Sequence, residues 1–181
     1  MKIIIAGAGE VGFHLAKLLS YESLDITLID IERDRLNYAE GHLDIKTLKG
    51  NACSLSVLKE SEAAEADLLI AVTASESENI IICALAKQLG SKRTIARISN
   101  IEYTNTDNSI SFSDIGVDEL ISPEELAAEE IQQLLDQSAF SNSYEFEDGA
   151  LTMIGTQLGS NVPFVGKSVK EAALHLPRCS F

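Results

Sequence analysis

Apolar residues in this chain fall into short unbroken runs, separated by stretches where they recur at helical spacing. Residues 3–6 are continuously apolar, the pattern of a strand buried on both faces. Val11, Leu15, Leu18 and Leu19 then recur every three or four residues and predict a helix. Ile26, Leu28 and Ile29 make a second strand that ends on Asp30, and a helix over 32–41 turns Leu36 inward. A short strand at 46–48 and a brief helix over 54–61, through Leu55 and Leu58, follow. Residues 68–72 are again continuously apolar, as a central parallel strand would be. A long helix over 78–89 is closed by Gly90, and 94–98 is a fifth strand.

The pattern changes after residue 100. Asn, Ser, Thr and Asp crowd 100–114, and their side chains compete with the backbone for hydrogen bonds, so irregular structure is expected there. Residues 119–121 read as a sixth strand. Ser122 then suits an N-cap, Pro123 the first helical position, and Glu125 a capping box. The helix runs to about 137 with an apolar stripe of Leu126, Ala127, Ile131, Leu134 and Leu135. No further strand of the first sheet follows to cover that stripe; its own sheet or a second subunit could take it, and the second subunit is the expected cover. Residues 138–143 read as a linker. Strands at 144–146 and 151–155 flank a turn at 147–149, and Gly166, Ser168 and Glu171 open a short helix over 169–174. Roughly 40 residues bury too little to be stable alone. The expected organisation is therefore a domain over 1–137, the linker, and the opening part of a second, small α+β domain over 144–181.

The alternation of strands and helices predicts a Rossmann-like doubly wound parallel sheet of order 3-2-1-4-5-6 with right-handed crossovers. Ligand then belongs over the carboxyl ends of the first and fourth strands. Gly7, Gly9 and Gly12 stand there at GxGxxG spacing, enclosing Ala8, Glu10 and Val11. Such glycines let the backbone turn off a strand and press against a pyrophosphate, with the free amides of the next helix as donors. Asp30 lies about 20 residues on, where a carboxylate accepts ribose hydroxyls. The same end receives Asn51–Ala52 and Thr73–Ala74. Arg97, flanked by Ile95 and Ile98 on a strand, needs a charge partner if buried.

Charge narrows the partners. Against 14 basic residues stand 28 acidic ones, a net charge of −14. That field repels nucleic acid and argues against direct contact with lipid headgroups. No apolar run is long enough to span a bilayer, and no basic-then-apolar leader opens the chain, so a cytoplasmic location is expected. Cys53, Cys83 and Cys179 form no CxxC and are expected to be reduced, with Cys53 near the mouth of the site. Carboxylate spacing identifies no metal. Arg33 and Arg35 follow Asp30, where an arginine sometimes receives a 2′-phosphate; Asp30 itself repels that group. Glu76 and Glu78 suit a helix start and would repel phosphates if they faced the site. His14, His42 and His175 form no dyad in the sequence.

The stretches MKIIIAGAGEVGFHLAKLLS, LIDIERDRL, LKGNACSLSVLKE, ADLLIAVTASESENIIICALAKQLG, TIARI and VDELISPEELAAEEI together resemble the RCK (or KTN) domains of regulatory subunits of Trk/Ktr-type potassium uptake systems. The resemblance covers residues 1–137 and is weaker over the tail. It implies a non-catalytic sensor that binds NAD or NADH, alternatively ATP or ADP. It also implies homodimers that pair through the helix after the sixth strand and assemble into rings beneath a potassium-translocating membrane subunit. By this resemblance Gly7, Ala8, Gly9, Glu10, Val11 and Gly12 hold phosphates, and Asp30 holds the adenosine ribose. Asn51 and Ala52, with Cys53 beside them, edge the adenine. Thr73 and Ala74 lie by the phosphates or the second nucleoside, Arg97 reaches phosphate, and Arg33 is counted among the nucleotide-binding residues. The alternative is an NAD-dependent oxidoreductase, which needs an acid–base pair within the roughly 60 residues after the sixth strand.

Overall fold

Six parallel strands lie in the order β3-β2-β1-β4-β5-β6 in a computed structural model that describes residues 1–103, 111–137, 142–146, 151–155 and 166–168. The strands are β1 (Lys2–Ala6), β2 (Asp25–Asp30), β3 (Lys46–Lys49), β4 (Leu68–Ala71), β5 (Thr94–Arg97) and β6 (Glu119–Ile121). The helices are α1 (Glu10–Ser20), α2 (Arg33–Glu40), α3 (Leu55–Glu60), α4 (Glu76–Leu89) and α5 (Pro123–Gln137). The expected strand order is the observed one. β1 pairs with β2 from Lys2↔Asp25 to Ala6↔Ile29, and with β4 from Ile3↔Leu68 to Ala6↔Ala71.

Period-two alternation along β1 sends its residues into two cores. Ile3 and Ile5 pack with Ala16, Leu36 and Ala39, beneath α1 and α2. Ile4 and Ala6 pack with Leu58, Ile82, Cys83 and Ala86, beneath α3 and α4. A strand covered on both faces has no polar side, which is why its sequence is an unbroken apolar run.

Two helices differ in detail from the sequence pattern. Val11 and Leu18 are exposed; the buried residues of α1 are Gly12 and Ala16, flanked by the packed Phe13, Leu15 and Leu19. Small residues four apart let the helix lie close to the sheet, and Val11 and Leu18, away from that contact, stay exposed. Helix α4 starts at Glu76 rather than 78, because the Ser75 hydroxyl accepts the Glu78 amide at 3.3 Å and caps it. Within 100–114, short 3₁₀ turns occupy Ile101–Tyr103 and Ser113–Ile115, and the Asn100 side chain accepts the Glu102 amide at 3.0 Å. This is the side-chain competition the composition predicts; 104–110 lie outside the described residues.

The chain divides into two units, Met1–Leu126 and Ala127–Phe181. In the second, β7 (Asn142–Phe146) and β8 (Leu151–Gly155) pair antiparallel from Asn142↔Gly155 to Phe146↔Leu151. β7 thus begins inside the expected linker, of which 138–141 lie outside the described residues. So do the turn at 147–149, the helix over 169–174, His175 and Cys179. The Ser122 hydroxyl caps α5 by accepting the Glu125 amide at 3.3 Å. Leu126, Ile131 and Leu134 of the α5 stripe are each more than half exposed; the Leu135 side chain lies outside the described set.

One ion pair ties α4 to the β5–β6 edge. Asp118 receives the Lys87 ammonium at 2.7 Å and the Thr94 amide at 2.8 Å. Burial pushes the Asp118 carboxyl up, but Lys87 and Thr94 together pull harder and hold it below its ordinary value. A carboxyl depressed on folding stabilises the fold above its unfolded pKa and loses that contribution as pH falls through its folded one. Asp118→Asn is therefore expected to cost about 1 kcal/mol at neutral pH. In urea melts run at several pH values, the gap to the unaltered chain closes below about pH 4. A gap that stayed constant with pH would rule the pair out as its source.

Candidate functional site

A cleft of about 570 Å³ lies over the carboxyl ends of the strands, within the size range of small-ligand sites. Its first wall is the turn from β1 into α1. Gly7 has φ +108°, and a Cβ there would stand 2.9 Å from the carbonyl carbon and oxygen of Val72. Its amide donates to the Ile29 carbonyl at 2.8 Å, so the turn is fastened to β2. A Cβ on Gly12 would stand 1.8 Å from the Gly7 carbonyl oxygen. Gly12 serves close packing and does not line the cleft. Gly9 differs: a Cβ there meets nothing within 4 Å, so its bareness leaves the approach to α1 open. Among the described residues no side chain caps α1, which leaves the amides of its first turn as donors at this end of the sheet.

Asp30 forms the second wall and is 7% exposed. Its Oδ2 accepts the Ala8 amide at 2.5 Å and its Oδ1 the Glu32 amide at 2.8 Å. Ala8 is buried and does not line the cleft, yet its amide fixes the carboxylate beside the glycine turn. The Gly50 amide donates to the Asp30 carbonyl at 2.9 Å, which brings Asn51 and Ala52 to the same rim. Arg33 is exposed and does not line the cleft. Arg35 does, with Nη1 3.8 Å from Asp30 Oδ2, because α2 begins at Arg33 and brings Arg35 back over the end of β2.

Cys53 is also outside the lining. Its amide is turned onto the Asn51 side chain at 2.8 Å, and the sulfur faces the Glu78 carbonyl at 3.9 Å. Burial, with the Glu78 charge adding, pushes this thiol up, so it stays protonated and a weak nucleophile. Cys83, buried in the core, is pushed up to about 12 by burial.

The third wall joins the ends of β4 and β5, and its organiser is Asn79, which sequence reasoning missed. Asn79 is 1% exposed. Its Oδ1 accepts the Thr73 amide and the Thr73 hydroxyl, each at 2.8 Å. Its Nδ2 donates to the Arg97 carbonyl at 2.8 Å and the Thr73 carbonyl at 3.3 Å. Asn79, Ile82, Cys83 and Ala86 are the buried residues of α4, at i, i+3, i+4 and i+7. That spacing was the available signal of an inward-facing amide.

Thr73, Ala74 and Arg97 line the cleft together with Glu78. Glu76 turns away and accepts the amides of Ser99 and Asn100 at 3.0 and 2.9 Å, which hold its carboxyl below the ordinary range. Arg97 finds its partner in Glu124, Nη2 to Oε1 at 3.1 Å. Four acidic residues, Glu10, Asp30, Glu32 and Glu78, and two basic ones, Arg35 and Arg97, thus line the cleft. Among the described residues no group of three or more His, Cys, Asp and Glu could hold a metal ion. His14 and His42 sit outside the cleft, His14 beside the Glu10 carbonyl of its own helix and His42, just past the end of α2, beside the Tyr38 carbonyl.

A doubly wound parallel sheet with a glycine turn entering α1 and an acid closing β2 defines a Rossmann-like domain, of the kind that seats a phosphorylated nucleoside on main-chain amides. Residues 3–123 match the family model of the TrkA-N domain, and the chain belongs to that family. The Trk system potassium uptake protein TrkA of Haemophilus influenzae is 36% identical over 179 residues, covering 98% of this chain and 39% of that protein. Its namesake in Halomonas elongata is 34% identical over 178 residues, with the same two coverages. The chain therefore spans about two fifths of the length of these relatives. Among solved structures, the GsuK channel bound to NAD superposes with a TM-score of 0.64 at 17% identity, over 96% of this chain and 30% of that one. GsuK bound to ADP gives 0.61 at 22% identity, over 76% and 34%.

Proposed function

We propose that this chain is the nucleotide-binding part of a regulatory subunit of a potassium uptake system, and that it binds its ligand without turning it over. The observation that carries the reading is the joining of glycine turn and acid: the Ala8 amide, inside the turn, grips the Asp30 carboxylate at 2.5 Å. Phosphate donors and ribose acceptor are thereby held at a fixed separation before ligand arrives. Membership in the TrkA-N family, and the names of the relatives above, support the potassium-uptake context.

In this reading the first-turn amides of α1 and the Arg97 guanidinium hold phosphate. Asp30 accepts the ribose hydroxyls, Asn51 and Ala52 edge the adenine, and Thr73 and Ala74 face the phosphates or a second nucleoside. NAD or NADH is the favoured ligand and ATP or ADP the alternative. A 2′-phosphate is disfavoured by the Asp30 charge. The binding domain is residues 1–137, in which α5 pairs with a second copy through Leu126, Ile131 and Leu134. The remainder opens a second domain. Such pairs assemble into a ring at the cytoplasmic face of a potassium-translocating membrane subunit; no described helix is itself long and apolar enough to cross a membrane.

Thermal melts with NAD, NADH, NADP, ATP and ADP identify the ligand as the one that raises Tm. Asp30→Asn is then expected to weaken it by about 1–3 kcal/mol, read by calorimetry. Unchanged affinity would remove Asp30 from the site. Steady turnover of NADH across a substrate panel would favour an enzyme instead.

A further inference from the structure

Arg97 faces the cleft from the end of β5, but another part of the same chain already holds it. Its Nη2 stands 3.1 Å from Glu124 Oε1, in the first turn of α5. Its Nε is buried and, among the described residues, has no hydrogen-bond partner. Its main chain is fixed, since the Arg97 carbonyl accepts from buried Asn79 at 2.8 Å. The side chain therefore pivots on a rigid base, with one donor engaged by a carboxylate and another lacking an acceptor. A guanidinium binds phosphate best through two adjacent donors at once. Glu124 occupies one nitrogen of that fork and leaves the fork incomplete.

We propose that Glu124 is an internal competitor for the anion-binding arginine, so that a nucleotide phosphate taking Arg97 displaces Glu124 and transmits occupancy of the cleft to the first turn of α5. The proposal rests on the function given above and adds its regulation. Displacement strands no charge. Glu124 is more than half exposed, and its own backbone amide, with Arg97 and Ser122 adding, holds the carboxyl below its ordinary range. Released from Arg97, the carboxylate stays at a helix N-terminus, where negative charge is favourable. The arginine keeps a partner in both states and exchanges an internal anion for an external one. Linkage makes the effect reciprocal: whatever draws Glu124 away from Arg97 tightens nucleotide binding, and nucleotide loosens Glu124.

The test is calorimetry on the 181-residue chain with ADP and with adenosine, free of divalent cations. Glu124→Gln is expected to raise ADP affinity about two- to five-fold, the scale of an exposed ion pair, and to leave adenosine affinity unchanged. Glu125→Gln makes the same change of charge one residue on, in a group outside the Arg97 pair, and is expected to give no such gain. In an Arg97→Gln background the effect of Glu124→Gln on ADP vanishes. Equal gains from both glutamate variants, no gain from Glu124→Gln, or a gain that persists without Arg97 would overturn the proposal. An unaltered chain that binds neither ADP nor NADH would overturn the function itself, and that result needs no variant to be seen.

Discussion

Gly12→Ala is expected to destabilise the domain by about 3 kcal/mol and to take ligand binding with it. The new methyl would stand 1.8 Å from the Gly7 carbonyl oxygen, 2.9 Å from its carbon and 3.2 Å from Val72 Cγ2. None of these neighbours can give way cheaply. Gly7 is itself locked, by φ +108° and by its bond to the Ile29 carbonyl, so α1 has to lift off the sheet. Gly12 and Ala16 are the buried residues of that helix, and lifting it opens the core that holds Ile3, Ile5 and Leu28. Binding fails in the same step, because the amides of the α1 first turn leave the Asp30 carboxylate behind. Gly9→Ala is the control: its methyl has open space for 4 Å. That variant is expected to keep most of its stability and to lose affinity by filling the proposed phosphate approach. Urea melts of the two variants separate packing from binding. Equal stability losses would mean that the close contact at Gly12 is relieved by some easy shift.

Much of this site could be read along the chain because its main parts are local. The glycine turn and the acid at the end of β2 depend on neighbours in sequence, and the sheet order follows from alternating strands and helices under one handedness rule. What escaped depends on residues brought together across the sheet. Arg97 asked for a charge partner, but nothing in the pattern names Glu124, 27 residues on. Arg33 and Arg35 looked alike, and only the start of α2 decides which returns to Asp30. Glu76 and Glu78 looked alike too; two residues apart on a helix they point to different sides, one to the Ser99 and Asn100 amides and the other to the cleft. In α1, reading the large apolar residues as the packed stripe misplaced Val11 and Leu18, because the close-packed residues are the small ones.

Asn79 carries the second large effect, and it shows how a buried amide can shape a site it does not line. Asn79→Leu keeps the volume but removes four hydrogen bonds, from the Thr73 amide and hydroxyl and to the Thr73 and Arg97 carbonyls. Each buried group left unpaired costs about 1–3 kcal/mol, and partial rescue by water holds the expected total near 3–4 kcal/mol. Lost contacts alone would not separate a positioning role from a structural one, so a second variant is needed. Asn79→Asp keeps both acceptor contacts to Thr73 and loses both donors, while placing a carboxyl at a position that is 1% exposed. Burial raises the pKa of that carboxyl above its unfolded value. The variant is therefore least stable at neutral pH and regains stability as pH falls through the raised folded value, whereas Asn79→Leu shows no such recovery. For binding, the two ends that Asn79 joins are those proposed to face the phosphates or a second nucleoside, and the proposed adenosine contacts lie across the cleft on Asp30, Asn51 and Ala52. Under conditions where the Asn79→Asp variant is folded, it should lose affinity for ADP or NADH and keep its affinity for adenosine. Equal losses for adenosine and ADP would make Asn79 a part of the core alone.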